Sequence, residues 1–425
     1  MNIKLKKGIL SLAIGGTILA LPFQTNAARL WTAGAELNSS TDQMEFTVNS
    51  GTVISSTQAR TGTYSMRVNV GNDFGRQHVA AANQTITGSG TVCVYVVSAP
   101  NATTQLLRFS NTSNVSVGNI SMLTDRTLIL LTSAGTQIGS ASAAVALNTW
   151  TCIELQSDAS TNPGTLTARI KADTDANWTT FASGANSNQG QWARFLWGNI
   201  TGVQTTNDMY FDDWKFNDSS GTSQTSFAGA GKVIYLRPNA SGDASGWTRG
   251  GTDSGAHRSQ TEELPPNDVT DYVTSTTLNQ EDLYNMSDSG IQSYDTVAVV
   301  QGNVRYTSDN AASNPGFKVE IEKTSGGTIS QGTEITPNST TWFTNANAIP
   351  ENPTLTLYND PDGSAWTQST LDSMQSGVKI TTDNTNNIRI TALWVAVDYS
   401  PGTLSLQPSV IIQGQTIING QIIFK

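Results

Sequence analysis

The sequence predicts an all-β protein: two β-sandwich, jelly-roll-like domains, a short C-terminal β-meander, and one short helix near residues 367–376. Three observations carry this reading. Only 13% of the 425 residues are charged, against about 25% in an average globular protein. Ser, Thr, Asn and Gly take the missing share, a composition that suits short strands and polar turns better than long helices. Many short stretches alternate apolar and polar residues with period two, and a single segment carries a helix signature.

The elements follow in chain order. MNIKLKKGILSLAIGGTILALPFQTNA opens with Lys4, Lys6 and Lys7, continues with an apolar run from Gly8 to Phe23, and closes on the small residues Thr25 and Ala27. Residues 1–27 therefore read as a secretory signal peptide. The run is short for a bilayer span, and no later segment is apolar enough, so no membrane span is expected once the leader is removed. Export gives the two cysteines a meaning. Cys93 in TVCVYVV and Cys152 in NTWTCIEL would form a disulfide closing a loop of about 60 residues; the alternative is a pair of buried thiols. His78 and His257 are the only histidines, and neither stands at zinc-ligand spacing from a cysteine.

Residues 28–217 read as the first sandwich. MEFTV, YSMRVNV, TVCVYVV, TLILLT, WTCIELQ, TLTARIKA, RFLWGNI and MYFDDWKF are separated by turn-rich spacers such as STNPG. TLTARI puts Leu166, Ala168 and Ile170 on one face, while TVCVYVV is apolar on both, as a central strand should be. The series ARTGTYSMRV, NTWTCIELQ, GTLTARI and YFDDWKF resembles the concanavalin A-like lectin/glucanase superfamily, including laminin-G-like modules. That resemblance implies a jelly-roll sandwich and a glycan-contacting role.

Residues 218–232 are rich in Gly, Ser and Thr without periodicity, as expected of a flexible linker. Residues 233–402 form the second sandwich, with VIYLRPN, DYVTST, DTVAVVQGNVRY, FKVEIEKT, PTLTLYN, GVKITT and RITALWVAVDY as its strands. Within it, Thr367 is placed as an N-cap, Leu371 and Met374 share a face, and Gly377 stands where the helix would end. TEELPPNDVTDYV, DLYNM, NDPDGSAWTQSTLDSMQSGVKI and RITALWVAVDYS resemble a β-sandwich of virion- and tail-associated proteins and of large bacterial surface proteins, for which no catalytic role is implied. Combined with a leader, the cell-surface or extracellular setting is the expected one.

Residues 403–425 end the chain in PSVIIQGQTIINGQIIFK. Apolar pairs recur at Ile411/Ile412, Ile417/Ile418 and Ile423/Phe424, with Gln413-Gly414 and Asn419-Gly420 between them. Asn-Gly between apolar runs is a strong hairpin signal, and so small a sheet needs a surface to lie on. It would dock on its own chain, or pair with another copy.

The functional reading is mainly one of exclusion. Net charge is −10, with no basic run beyond the leader, so nucleic acid is not an expected partner. A retaining glycosidase needs two carboxylates about 5–5.5 Å apart on one groove. Glu154 and Asp158 lie four apart in WTCIELQSD, but Asp158 reads as turn, and in MYFDDWKFND regular alternation would turn Asp213 away from Asp212. Asp208 and Asp212 could instead hold a structural calcium, which favours hard oxygen donors; no other cofactor is expected. Trp178, Trp192 and Trp197 are candidates for stacking on sugar rings. A structural or adhesive protein with a lectin-like domain is thus expected, followed by a glycan-binding module, with a polysaccharide hydrolase as the third reading.

Overall fold

A computed structural model describes residues 28–403, apart from short stretches at 41–43, 50, 70, 72, 187–189, 202–203, 253–254, 313, 346–351 and 383–384, together with residues 416–418 and 421–423. Almost all regular structure is antiparallel β, as expected.

The first sandwich faces an eight-stranded sheet against a seven-stranded one. The larger sheet runs Thr179–Ala185, Thr165–Ala172, Trp150–Asp158, Thr87–Ser98, Asp208–Asp218, Ser65–Val68 and Val53–Ser55, and Arg29–Ala33 pairs with the far half of Asp208–Asp218. The smaller runs Gln137–Ile138, Leu128–Thr132, Ser116–Met122, Thr104–Ser110, Arg194–Gly198, Phe74–His78 and Thr47–Val48. The inner faces share a core that includes Trp31, Phe46, Trp192, Phe195, Trp197, Trp214 and Phe216. Rings this large bury the most apolar area per side chain, and the edge and tilted contacts among them add specificity to that burial.

The second sandwich packs a seven-stranded sheet, centred on Ile388–Ser400 and Thr296–Ser308, against a five-stranded sheet centred on Gln375–Thr382. Its core includes Leu236, Val273, Tyr306, Phe317, Trp366, Leu371, Ile390 and Val395. The expected helix is present but shorter, Gln368–Asp372, with Thr367 and Thr370 forming a reciprocal capping box. Leu371 and Met374 are both buried, as their shared face requires. Gly377 does not end the helix: it lies inside the strand Gln375–Thr382, where a Cβ would come within 1.9 Å of the Asp282 carbonyl oxygen. The glycine answers to a neighbouring strand that sequence distance hides.

The segment between the sandwiches also differs from expectation. Residues 219–231 form no strand, yet they are tied down as a strap over the outer face of the eight-stranded sheet. Asn217 Nδ2 donates to the Ser226 carbonyl at 3.0 Å, the Gly229 amide donates to Glu154 Oε1 at 2.6 Å, and the Phe227 ring lies 3.7 Å from the Arg169 guanidinium carbon. Small side chains remove the periodicity that a sequence reading relies on, but leave a bare backbone that can hydrogen-bond to a sheet face.

At the C-terminus, Thr416–Ile418 pairs antiparallel with Gln421–Ile423, Ile418 opposite Gln421. Ile417, Ile418 and Ile423 belong to this pair, with two residues between the strands, as Asn419-Gly420 predicted. Ile411, Ile412 and Phe424 lie outside the described residues.

Candidate functional site

Cys93 and Cys152 stand directly opposite each other on adjacent strands and form the expected disulfide. Their neighbours Val92, Val94 and Ile153 point into the core, so alternation places the sulfurs on the outer side. Both cysteines are nevertheless fully buried.

The three tryptophans separate. Trp192 and Trp197 are fully buried core residues, which corrects their assignment as sugar-stacking groups: Trp197 is stacked on Trp31, and Trp192 donates its indole N–H to the Ile86 carbonyl at 2.9 Å. The neighbouring strands make room for them with glycine; a Cβ on Gly75 would fall 2.5 Å from Trp197. Trp178 is half-buried, and its ring lies under the Arg169 guanidinium, 4.5 Å from centroid to Cζ. Arg169 is in turn paired with Glu154.

The aspartates of the Asp208–Asp218 strand are engaged rather than open. Asp208 receives two hydrogen bonds from Arg67, at 2.9 and 3.0 Å. Asp212 accepts the backbone amides of Arg60 and Thr61, at 2.8 and 3.2 Å. A β-bulge between Asp212 and Lys215 puts Asp213 at φ 56°, a left-handed conformation that Asp tolerates better than most residues. The bulge defeats strict alternation, and Asp213 converges with Asp212 on the same loop: it pairs with Arg60 at 2.5 Å and accepts from Thr61 Oγ1 at 3.1 Å. Asp213 also accepts the Val233 amide at 2.7 Å, linking the first sandwich to the second. Among the described residues, no group of three or more His, Cys, Asp or Glu is gathered for a metal ion.

This convergence is one end of a buried polar seam. Asp398 of the second sandwich pairs with Arg29 at 2.8 Å and Lys215 at 2.7 Å, all three side chains enclosed. Burial pulls the Lys215 ammonium below its usual range, and Asp398 opposes that shift. Arg60 reaches the Ala230 and Gly231 carbonyls of the strap at 2.9 and 3.0 Å. Beside the ion pairs, Leu37 and Met44 pack on Ala392 and Trp394. Glu45, fully enclosed next to the Tyr235 hydroxyl, is pushed up to about 8 by burial, and Glu36 to about 7 for the same reason. Burial also raises Asp212, reinforced by the charge of Asp213. These are marks of a joint between two bodies, in which desolvated charges are matched one against another.

The outer face of the seven-stranded sheet is different in kind. Leu196 lies directly opposite Arg76 on one side and Arg108 on the other, and Arg194, two residues away on the same face, lies opposite His78 and Ser110. Three guanidinium groups on three adjacent strands thus share one face. The seven strands of this sheet contain no Asp or Glu. Among the described residues, the side chains of Arg76 and Arg194 make no ion pair or hydrogen bond, and the Nε of Arg76 and of Arg108 are buried without a partner. Arg108 meets only neutral groups, Gln105 at 3.5 Å and Asn114 at 3.2 Å. Burial, then repulsion from Arg76, holds Arg194 below the usual guanidinium range. Leu196 is fully buried between these side chains, and Asn119 and Ser121 continue the face as a hydrogen-bonded pair at 2.8 Å.

Sequence reasoning missed this cluster. The arginines occur singly in FGRQH, TQLLRFS and RFLWG, and only the last was among the expected strands. A charged residue at the outward position of an otherwise apolar strand, as in LLRF and RFLW, was the available signal.

No family model matches the chain, and no curated protein matches it. Among solved structures, the chain is similar to a cellulose-induced protein, Cip1, at 15% identity and TM-score 0.34, covering 47% of this chain and 99% of that one. It is similar to lectin II from Ulex europaeus at 10% identity and TM-score 0.29, covering 41% and 95%. A sialidase aligns at 6% identity and TM-score 0.33 over 45% of this chain and 19% of its own length. These alignments each span less than half of the present chain.

Proposed function

We propose that this is a non-catalytic extracellular structural or adhesive protein whose first sandwich contacts glycan and whose C-terminal strip contributes to assembly. The observation that carries the glycan reading is the outer face of the seven-stranded sheet. It presents the partly exposed side chains of Arg76, Arg108, Arg194 and Gln105 over the buried Leu196, Asn119 and Ser121, and its strands hold no carboxylate. Planar guanidinium and amide groups suit the hydroxyl edges of a sugar. Glycosidase chemistry requires two carboxylates flanking a bond. On the opposite sheet, Glu154 and Asp213 are paired with Arg169 and Arg60, and Asp212 with backbone amides. An extracellular setting agrees with the Cys93–Cys152 disulfide.

Probing a glycan array with the full chain tests the reading: binding to a defined set of glycans is expected, and an empty array removes it. Trp178, half-exposed beside Arg169, offers a second contact, on the other sheet. The assembly part rests on the Thr416–Ile418 and Gln421–Ile423 pair, which meets no third strand among the described residues. Deleting residues 409–425 should lower the mass in solution, and an unchanged monomer before and after deletion would remove that part.

A further inference from the structure

The arginine cluster narrows the class of glycan. A lone surface arginine is unremarkable, and most charged side chains near a sheet find a counter-ion. On the eight-stranded sheet, Arg60, Arg67 and Arg169 each pair with a carboxylate. On the seven-stranded sheet, Arg76, Arg108 and Arg194 pair with no carboxylate among the described residues, although the chain carries ten more acidic than basic charges overall. Holding three like charges on one face costs repulsion, and enclosing the Nε atoms of Arg76 and Arg108 without acceptors costs desolvation. An anion arriving at this face would relieve both costs. The guanidinium fork takes carboxylate or sulfate oxygens two at a time.

We propose that this face binds an acidic polysaccharide, its uronate carboxylates or sulfate groups held by Arg76, Arg108 and Arg194. The inference rests on the glycan reading above. Nucleic acid fits less well, because three cations set against a net charge of −10 give little of the counterion release that drives binding to a densely charged phosphate backbone.

The test is calorimetric titration of the full chain with polygalacturonate, dextran sulfate, neutral dextran and a DNA duplex at low and physiological salt, repeated with the double variant R76Q/R194Q and with R76K/R194K. Binding to one or both acidic polymers is expected, at least about tenfold tighter than to neutral dextran, weakening as salt rises. The Gln variant should lose about tenfold or more, and the Lys variant part of that, since it keeps the charge but not the fork. Preference for polygalacturonate over dextran sulfate would assign carboxylate as the recognised group, and the reverse would assign sulfate. An unchanged or raised melting temperature shows that the variants are folded. Equal affinity for acidic and neutral polymers, or acidic binding untouched by R76Q/R194Q, overturns the proposal but leaves glycan binding intact. Arginine-dependent binding stronger for the duplex than for either polymer replaces the occupant. Failure to bind any polymer, together with an empty glycan array, removes both readings.

Discussion

The two sheets of the first sandwich use the same residue type for opposite ends. On the eight-stranded sheet, arginines are matched: Arg60 with Asp213 and Asp173, Arg67 with Asp208, Arg169 with Glu154. The strap and the second sandwich then close over part of that face. On the seven-stranded sheet, Arg76, Arg108 and Arg194 share a face whose strands carry no acid. A charge serves the fold when the chain itself brings the counter-charge, and is available to a ligand when it does not. The charge inventory of a sequence cannot separate the two cases; the register of the strands can.

That contrast can be broken experimentally, first where the charges are sealed. D398A would strand the buried Arg29 and Lys215, and losing one partner of an enclosed ion pair costs about 3–5 kcal/mol. Urea unfolding should show this as a lower midpoint with an unchanged slope if the seam joins the sandwiches into one cooperative unit. Replacing both cysteines, C93S/C152S, removes the buried cross-link between adjacent strands and should cost about 2–4 kcal/mol by the same measurement.

Acidity gives a finer probe. Glu36, Glu45 and Glu320 keep their protons up to about 7, 8 and 7 when folded, against 4.5 as the reference value. Between these limits the folded chain binds more protons than the unfolded one, so their contribution to stability is full below about pH 4.5 and declines as pH rises toward 8. Thermal melts should fall over that window. E45Q, which mimics the protonated acid, should shrink the fall by about 2–4 °C, the worth of ~1 kcal/mol in a domain of this size.

The smallest effect belongs on the open face. R76Q/R194Q should leave stability unchanged or raise it by up to about 1 kcal/mol, since it removes like-charge repulsion and no counter-ion. A loss comparable to that of D398A would mean these arginines serve the fold after all, and the contrast between the sheets would fail.

Much of the architecture was legible. WTCIELQ, TLTARIKA, MYFDDWKF, FKVEIEKT and RITALWVAVDY all became strands, because period-two alternation is enforced wherever one face meets a core. The disulfide followed from a leader-like opening and an even cysteine pair. What escaped notice was long-range. Phe74–His78 and Thr104–Ser110 are too mixed in polarity to announce themselves, so the arginine face was invisible. Asp213 reached the Arg60 loop only through a bulge, which breaks the pattern that the reading assumed. Trp192 and Trp197 read as sugar-stacking candidates because their glycine partners Gly88 and Gly75 lie on strands distant in sequence.

The seam through Asp398 bears on how load would pass through the molecule. Force applied to the first sandwich would travel to the second through enclosed ion pairs and the packed Leu37–Trp394 contact as well as along the connecting peptide. The two halves therefore resist tension as a single rivet rather than as beads on a string.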